Sequence, residues 1–280
     1  MTVHVHAGNR EVETSPVLLL VRAMLLEAIR RREFYALLLL MGLFLIGAVL
    51  VQVVGIENPA TGTFVLNLGM TLAFGLGHVM ALLTAIRALP DEIENRTIYP
   101  LLAKPITRLQ LFVGKWLAAT LAGAVTTFVL FLMGWVPVPK LEAYDPVMLA
   151  QALMLQFVSL GMISALGLFF SLFLPKAVNL IVLLLLCFPG SKLVNMLTAR
   201  MSRVIGRDTA NWLFGYIPDF QLLNLVTAYT DGLPALSPTQ FFLRLFYGAV
   251  IIATANSAPT KEEVKAAVSA SAARPCCAIG

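Results

Sequence analysis

Long apolar runs separated by short polar connections set the pattern of this chain. Phe34 to Val54, Phe64 to Ile86, Trp116 to Val136 and Met148 to Leu174 contain no Asp, Glu, Arg or Lys. Each reaches the roughly 20 residues that carry a helix across a hydrocarbon core. A fifth run is predicted from Ala177 to Leu197, although Pro189-Gly190 and Lys192 weaken its second half. The sixth, Phe241 to Ala255, covers only about 23 Å at about 1.5 Å per residue unless earlier residues join it. Period-2 alternation is missing, so a β-barrel is excluded and each run must satisfy its backbone as a helix. The fold class expected is all-α, a polytopic membrane protein with about six transmembrane helices.

Around these spans the chain divides into an N-terminal segment, residues 1–33, a transmembrane domain, residues 34–256, and a polar tail, residues 257–280. In the first, "SPVLLLVRAMLLEAIRRREF" reads as an amphipathic helix too interrupted by Arg22, Glu27, Arg30 and Arg31 to cross. It is expected along the cytoplasmic membrane surface, its basic end near anionic headgroups. Between the last two spans, residues 198–238, Trp212, Phe214, Tyr216 and Phe220 suit either an aromatic belt at the interface or a functional lid. In the tail, Thr260 and Glu263 have capping-box spacing for a short helix.

Charge then sets orientation. Only 12% of the 280 residues are charged, against about 25% in a soluble domain. Basic residues gather before the first span (Arg10, Arg22, Arg30, Arg31, Arg32) and in the 87–115 connection (Arg87, Arg96, Lys104, Arg108, Lys115), which places both in the cytoplasm. The connections 55–63 and 137–147 carry one lysine between them and face outward. Residues 198–238 conflict with the rule, since six spans put them outside despite Arg200, Arg203 and Arg207. The net charge of +5 belongs to this membrane pattern, and no nucleic-acid partner is expected. Cys187, Cys276 and Cys277 make no disulfide framework, and the closing "CAIG" lacks the polybasic neighbour of a prenylation box. Arg22 interrupts the only run resembling a signal-peptide core, so no cleaved signal is read.

The most informative stretch is "DEIENRTIYPLLAKPITRLQLFVGKW", Asp91 to Trp116. Pro90 and the acidic Asp91, Glu92 and Glu94 suit a helix start, and Pro100 stops that helix. Lys104-Pro105 breaks the chain again, and Thr107 with Gln110 opens a helix feeding the third span. Ile98, Leu101 and Leu102 lie among charges, where water disfavours them by about 25 cal/mol per Å² of apolar surface. They therefore meet either lipid or another protein; periodicity does not choose between the two. The charges are a solvated face in the first case and the polar rim of an interface in the second.

This stretch resembles the loop between the second and third spans of type-2 ABC transporter permeases, notably the branch related to the permease of nitrous-oxide reductase maturation. The matching features are Glu92 and Glu94, Thr97-Ile98, Leu101-Leu102, Lys104-Pro105, Arg108 and Gly114-Lys115. "YIPDFQLLNL", Tyr216 to Leu225, looks like a second feature of that family. The resemblance covers about residues 17 to 255. It implies six spans, cytoplasmic termini, a bacterial inner membrane, an N-terminal helix bracing the loop, and a second permease copy or paralogue as dimer partner. It also implies that Glu92, Glu94, Thr97, Ile98, Leu101, Leu102, Lys104 and Arg108 form a coupling surface for a separate cytosolic ABC ATPase, with Glu94 and Arg108 making its polar contacts. The end of the chain departs from the family, where a longer last span and a basic flank are usual.

Chemistry of its own is not expected. Gly114-Lys115 is followed by Trp116 and lacks the upstream glycine of a phosphate-cradling loop, so ATP and Mg belong to the partner and this chain binds no cofactor. His78 with Met80, or His4 with His6, supplies two ligands and no coordination sphere. Asn67, His78, Gln52, Gln151 and Gln156 are expected to make interhelical hydrogen bonds. The expected function is an ATP-driven permease, leaning to export. The alternative is a membrane scaffold or sensor whose hairpin binds a cytosolic partner without substrate movement.

Overall fold

The computed structural model describes residues 16–53, 59–88, 108–135, 145–188, 194, 196–201 and 218–256. Among them the elements are α1 (Pro16–Arg30), α2 (Arg32–Val53), α3 (Pro59–Ala88), α4 (Arg108–Trp135), α5 (Pro146–Phe170), α6 (Lys176–Cys187), a 3-10 turn (Phe220–Leu223), α7 (Val226–Thr230) and α8 (Pro238–Asn256), with no strand. Local chemistry sets several ends. Asp145 caps α5 by accepting from the Val147 amide at 2.9 Å, with Pro146 in the first turn. Pro175 separates α5 from α6, because its ring cannot continue a helix.

Five helices are long and apolar enough to cross a membrane, within α2, α3, α4, α5 and α8. The last is longer than the sequence suggests. Pro238 to Asn256 is 19 residues, about 28 Å, because the residues before Phe241 join the helix. Central positions go to α3, α4 and α5, while only 17% of the α2 span and 11% of the α8 span are buried. The α3–α4 crossing is close enough to require glycine. A Cβ on Gly77 would stand 1.8 Å from Thr127 Oγ1, and one on Gly123 would stand 2.6 Å from Ala81 Cβ.

Of the predicted fifth span the structure describes residues 177–188, 194 and 196–197. Its described helix, α6, stops at Cys187 just before Pro189-Gly190, and 12 residues cover about 18 Å, little more than half of a hydrocarbon core. It rises along α5, where Asn179 Nδ2 donates to Gly167 O at 3.0 Å, and its end brings Phe188 against Gly75 of α3. Further along, the chain is described again at about that height, where the Phe220 ring meets His78 edge-on with centroids 6.4 Å apart. From there it climbs: Thr230 receives a bond from Asn67 at 2.7 Å, and Leu236 pairs with Gln151 near the start of α5. Residues 194 and 196–201 are helical again, and residues 218–237 pass from the level of His78 to that of Gln151. Irregular backbone is tolerated at membrane depth where protein surrounds it, and Phe220, Leu223, Leu225, Val226 and Tyr229 are all buried.

Arg203 and Arg207, on which the charge conflict turns, lie outside the described residues. Gly248 packs on Val158 and Ile252 on Gly161, so α8 runs parallel to α5, as six crossings require. Phe220 belongs to the core at 4% exposure and is not part of a surface belt. Trp212, Phe214, Tyr216 and the Thr260–Glu263 box lie outside the described residues.

The apolar stripe of α1 packs on protein. Val21 and Ala28 are buried while Arg22, Glu27 and Arg30 are exposed, the spacing of one covered helix face. Ala28 packs with Met80 of α3 and Ala122 of α4, and Met24 joins a cluster of Ala85, Ala88, Ala119 and Leu168.

Candidate coupling site

The two stems of the hairpin are α3, ending at Ala88, and α4, beginning at Arg108. Of the residues expected to form the coupling surface, Glu92, Glu94, Thr97, Ile98, Leu101, Leu102 and Lys104 lie outside the described residues. Arg108 is the first residue of α4, which fits a helix opening beside the Thr107–Gln110 pattern. What the structure describes is the root on which that surface stands.

A buried lysine fastens this root. Lys115 has no exposed surface, and its Nζ donates to the Ala88 carbonyl at 2.7 Å. A carbonyl at a helix C-terminus lacks an intrahelical partner and carries the negative end of the helix dipole, so a cation there is both bonded and electrostatically favoured. Around it, Ala85, Ala88, Ala119 and Leu168 are buried, with Phe112, Trp116 and Met24 packed against them. Trp116 Nε1 donates to Gly161 O of α5 at 2.8 Å, and the Thr120 and Ser164 hydroxyls stand 2.7 Å apart one turn further on. A second tie crosses to α2, where Arg87 pairs with Glu33 at 2.5 Å. The ends of α3 and α4 are thus joined to each other and packed against α1, α2 and α5.

Deeper in the bundle the polar residues do what the sequence suggests, bonding between elements. His78 Nδ1 lies 2.8 Å from Phe74 O and Nε2 lies 2.7 Å from Ser159 Oγ. A neutral ring with its proton on Nδ1 satisfies both, donating to the carbonyl and accepting from the serine. Gln156 Nε2 donates to the same Phe74 carbonyl at 3.2 Å. Both imidazole nitrogens thus have protein partners, and Met80 packs in a different cluster, with Ala28 and Phe34. Among the described residues no group of three or more His, Cys, Asp or Glu side chains is placed to hold a metal.

Sequence reasoning missed three parts of this site. Lys115 was legible only as half of a Gly-Lys step, although Phe112 and Ala119, three and four residues away on its face, mark a buried position. Arg87 counted toward orientation without a partner. Gln151 gave no hint that it would bond both the N–H and the C=O of Leu236, at 2.9 and 3.1 Å.

The described residues form an all-helical polytopic bundle in which a buried lysine joins the ends of α3 and α4. Residues 20–261 match the family described as ABC-2 family transporter protein, and the chain belongs to that family. The comparison with curated proteins finds no match. The chain is therefore an integral membrane component of an ABC transporter, from a family whose members work with an ATPase subunit.

Proposed function

We propose that this chain is the permease subunit of an ATP-driven exporter and receives its power stroke through residues 91–108. The observation that carries the reading is the clamp of Lys115 on Ala88, which makes the ends of α3 and α4 one mechanical piece at the base of that segment. In this reading a separate cytosolic ATPase, holding ATP and Mg, docks on Glu92, Glu94, Thr97, Ile98, Leu101, Leu102, Lys104 and Arg108. Closure of its dimer tilts the α3–α4 pair, whose close crossing at Gly77 and Gly123 leads to the level of His78 and Phe220. The hairpin end then faces the cytoplasm of a bacterial cell, with both termini on that side, and a second permease copy or paralogue completes the pathway. The basic residues at this end support that orientation. Kinship with the nitrous-oxide reductase maturation branch rests on the Thr97-Ile98, Leu101-Leu102 and Lys104-Pro105 steps.

Replacing Leu101 and Leu102 with Asp tests the docking surface. Co-purification of the cognate ATPase with membranes should be lost while the chain itself stays inserted; undiminished co-purification refutes the docking assignment. ATP-dependent vectorial accumulation in proteoliposomes holding both subunits separates a transporter from a scaffold.

A further inference from the structure

A cleft between α1, the start of α2 and the last turns of α3 has charged and apolar walls. Glu27, Arg31, Glu33 and Arg87 line it together with Met80 and Leu83. Arg31 pairs with Glu27, and Arg87 with Glu33 at 2.5 Å, so among the described residues the wall offers two guanidinium groups matched by two carboxylates. The cleft lies where the apolar run of α2 begins and that of α3 ends, the depth at which lipid headgroups meet a membrane protein.

The charge set selects the occupant. Guanidinium groups take phosphate oxygens through forked N–H pairs while still facing their carboxylates. The carboxylates accept hydrogen bonds from a primary ammonium, which a quaternary ammonium cannot donate. An anionic headgroup would leave Glu27 and Glu33 facing its negative charge. A track leads away from the cleft as well. Ala36, Leu40, Leu43 and Gly47 follow Glu33 at three, seven, ten and fourteen residues along one side of α2, and Leu40 and Leu43 are 45% and 63% exposed. A Cβ on Gly47 would meet nothing within 4 Å. Fourteen helical residues rise about 21 Å, enough for the roughly 15 Å of one leaflet of hydrocarbon. A water-soluble phosphate compound would have no use for such a track.

We propose that this cleft binds the headgroup of a zwitterionic phospholipid bearing a primary ammonium, with one acyl chain laid along Ala36, Leu40, Leu43 and Gly47. The full chain, purified in detergent and stripped of lipid, is mixed with phosphatidylethanolamine, phosphatidylcholine or phosphatidylglycerol and read by native mass spectrometry and thermal unfolding. Phosphatidylethanolamine should be retained about tenfold more than either other lipid, the ratio expected of a charge-assisted hydrogen bond. Phosphoethanolamine without chains should shift nothing. Glu27→Gln, an exposed site that leaves the fold intact, and the double variant with Glu33→Gln should bring retention down to the phosphatidylcholine level. Gly47→Trp should weaken retention through the track alone. Equal retention of the three lipids, preference for the anionic one, indifference to these variants, or a shift with free phosphoethanolamine overturns the proposal. Cross-linking of a cysteine at position 43 to the same position in a second copy also overturns it, since the track would then be a subunit contact.

Discussion

The Gly77–Thr127 contact shows how one hydrogen in place of a methyl sets the approach of two helices. A methyl on Gly77 would overlap the Thr127 hydroxyl at 1.8 Å, and that hydroxyl is buried without a hydrogen-bond partner among the described residues. Gly77→Ala should therefore lower stability by about 1–3 kcal/mol, the usual cost of forcing atoms into a packed interior. Thr127→Ala removes an unsatisfied polar atom and should be close to neutral. Combined, the two changes should recover part of the loss, with Thr127 Cβ still standing 3.0 Å from the new methyl. Thermal unfolding of the four proteins in detergent closes the cycle; purely additive effects would show that the contact is not the source of the cost.

At the scale of elements, Gln151 replaces a missing strand. Its amide bonds both backbone groups of Leu236, while Asn67 holds Thr230 and the Tyr247 hydroxyl accepts from the Asp219 amide at 2.7 Å. Gln151→Ala leaves the Leu236 amide without this partner. Hydrogen exchange should accelerate at the amides of Leu233, Leu236 and Ser237 by roughly 5- to 30-fold, the equivalent of 1–2 kcal/mol, while the middle of α5 stays protected. Uniform acceleration through α5 would point to general loosening of the bundle. This element also marks where the sequence stopped being legible. Four spans could be read because length without charge is a sufficient physical criterion, and the break at Pro189-Gly190 was visible as weakness in the fifth run. That residues 218–237 pack into the bundle could not be read. "PDFQLLNL" has the polar flanks of a loop, and it is held in the bundle by caps at Asp219 and Asn224 and by partners as distant in sequence as His78. The α1 helix reads from sequence as lying along the membrane surface, and Met80, Ala85 and Ala122 show that its stripe is covered by protein. The coupling surface rests on the resemblance, because a charged hairpin with Leu101 and Leu102 presents the same chemistry to a membrane and to a partner.

For the whole molecule, the proposed function leaves one decisive question, whether the hairpin would only bind a motor or also transmit its stroke, and Lys115 separates the two. It lies outside the proposed docking surface, yet its ammonium joins the last carbonyl of α3 to α4. Lys115→Met keeps the length and apolar stem of the side chain and removes the donor, so the Ala88 carbonyl loses a charged partner inside the protein. Stability should fall by about 1–3 kcal/mol, as for a buried acceptor left unmet. The Leu101 and Leu102 contact surface is unchanged, so the ATPase should still co-purify and hydrolyse ATP. With the clamp gone, the two stems slide past each other under load instead of tilting together, and substrate moved per ATP should drop several-fold while ATP turnover persists. The Leu101→Asp, Leu102→Asp protein should instead lose the ATPase from the membrane altogether. Measuring accumulation and phosphate release in the same proteoliposomes distinguishes these failures. An unchanged transport-to-hydrolysis ratio in Lys115→Met would mean that the stroke passes through some other contact, with α1 and the Arg87–Glu33 pair the next places to cut.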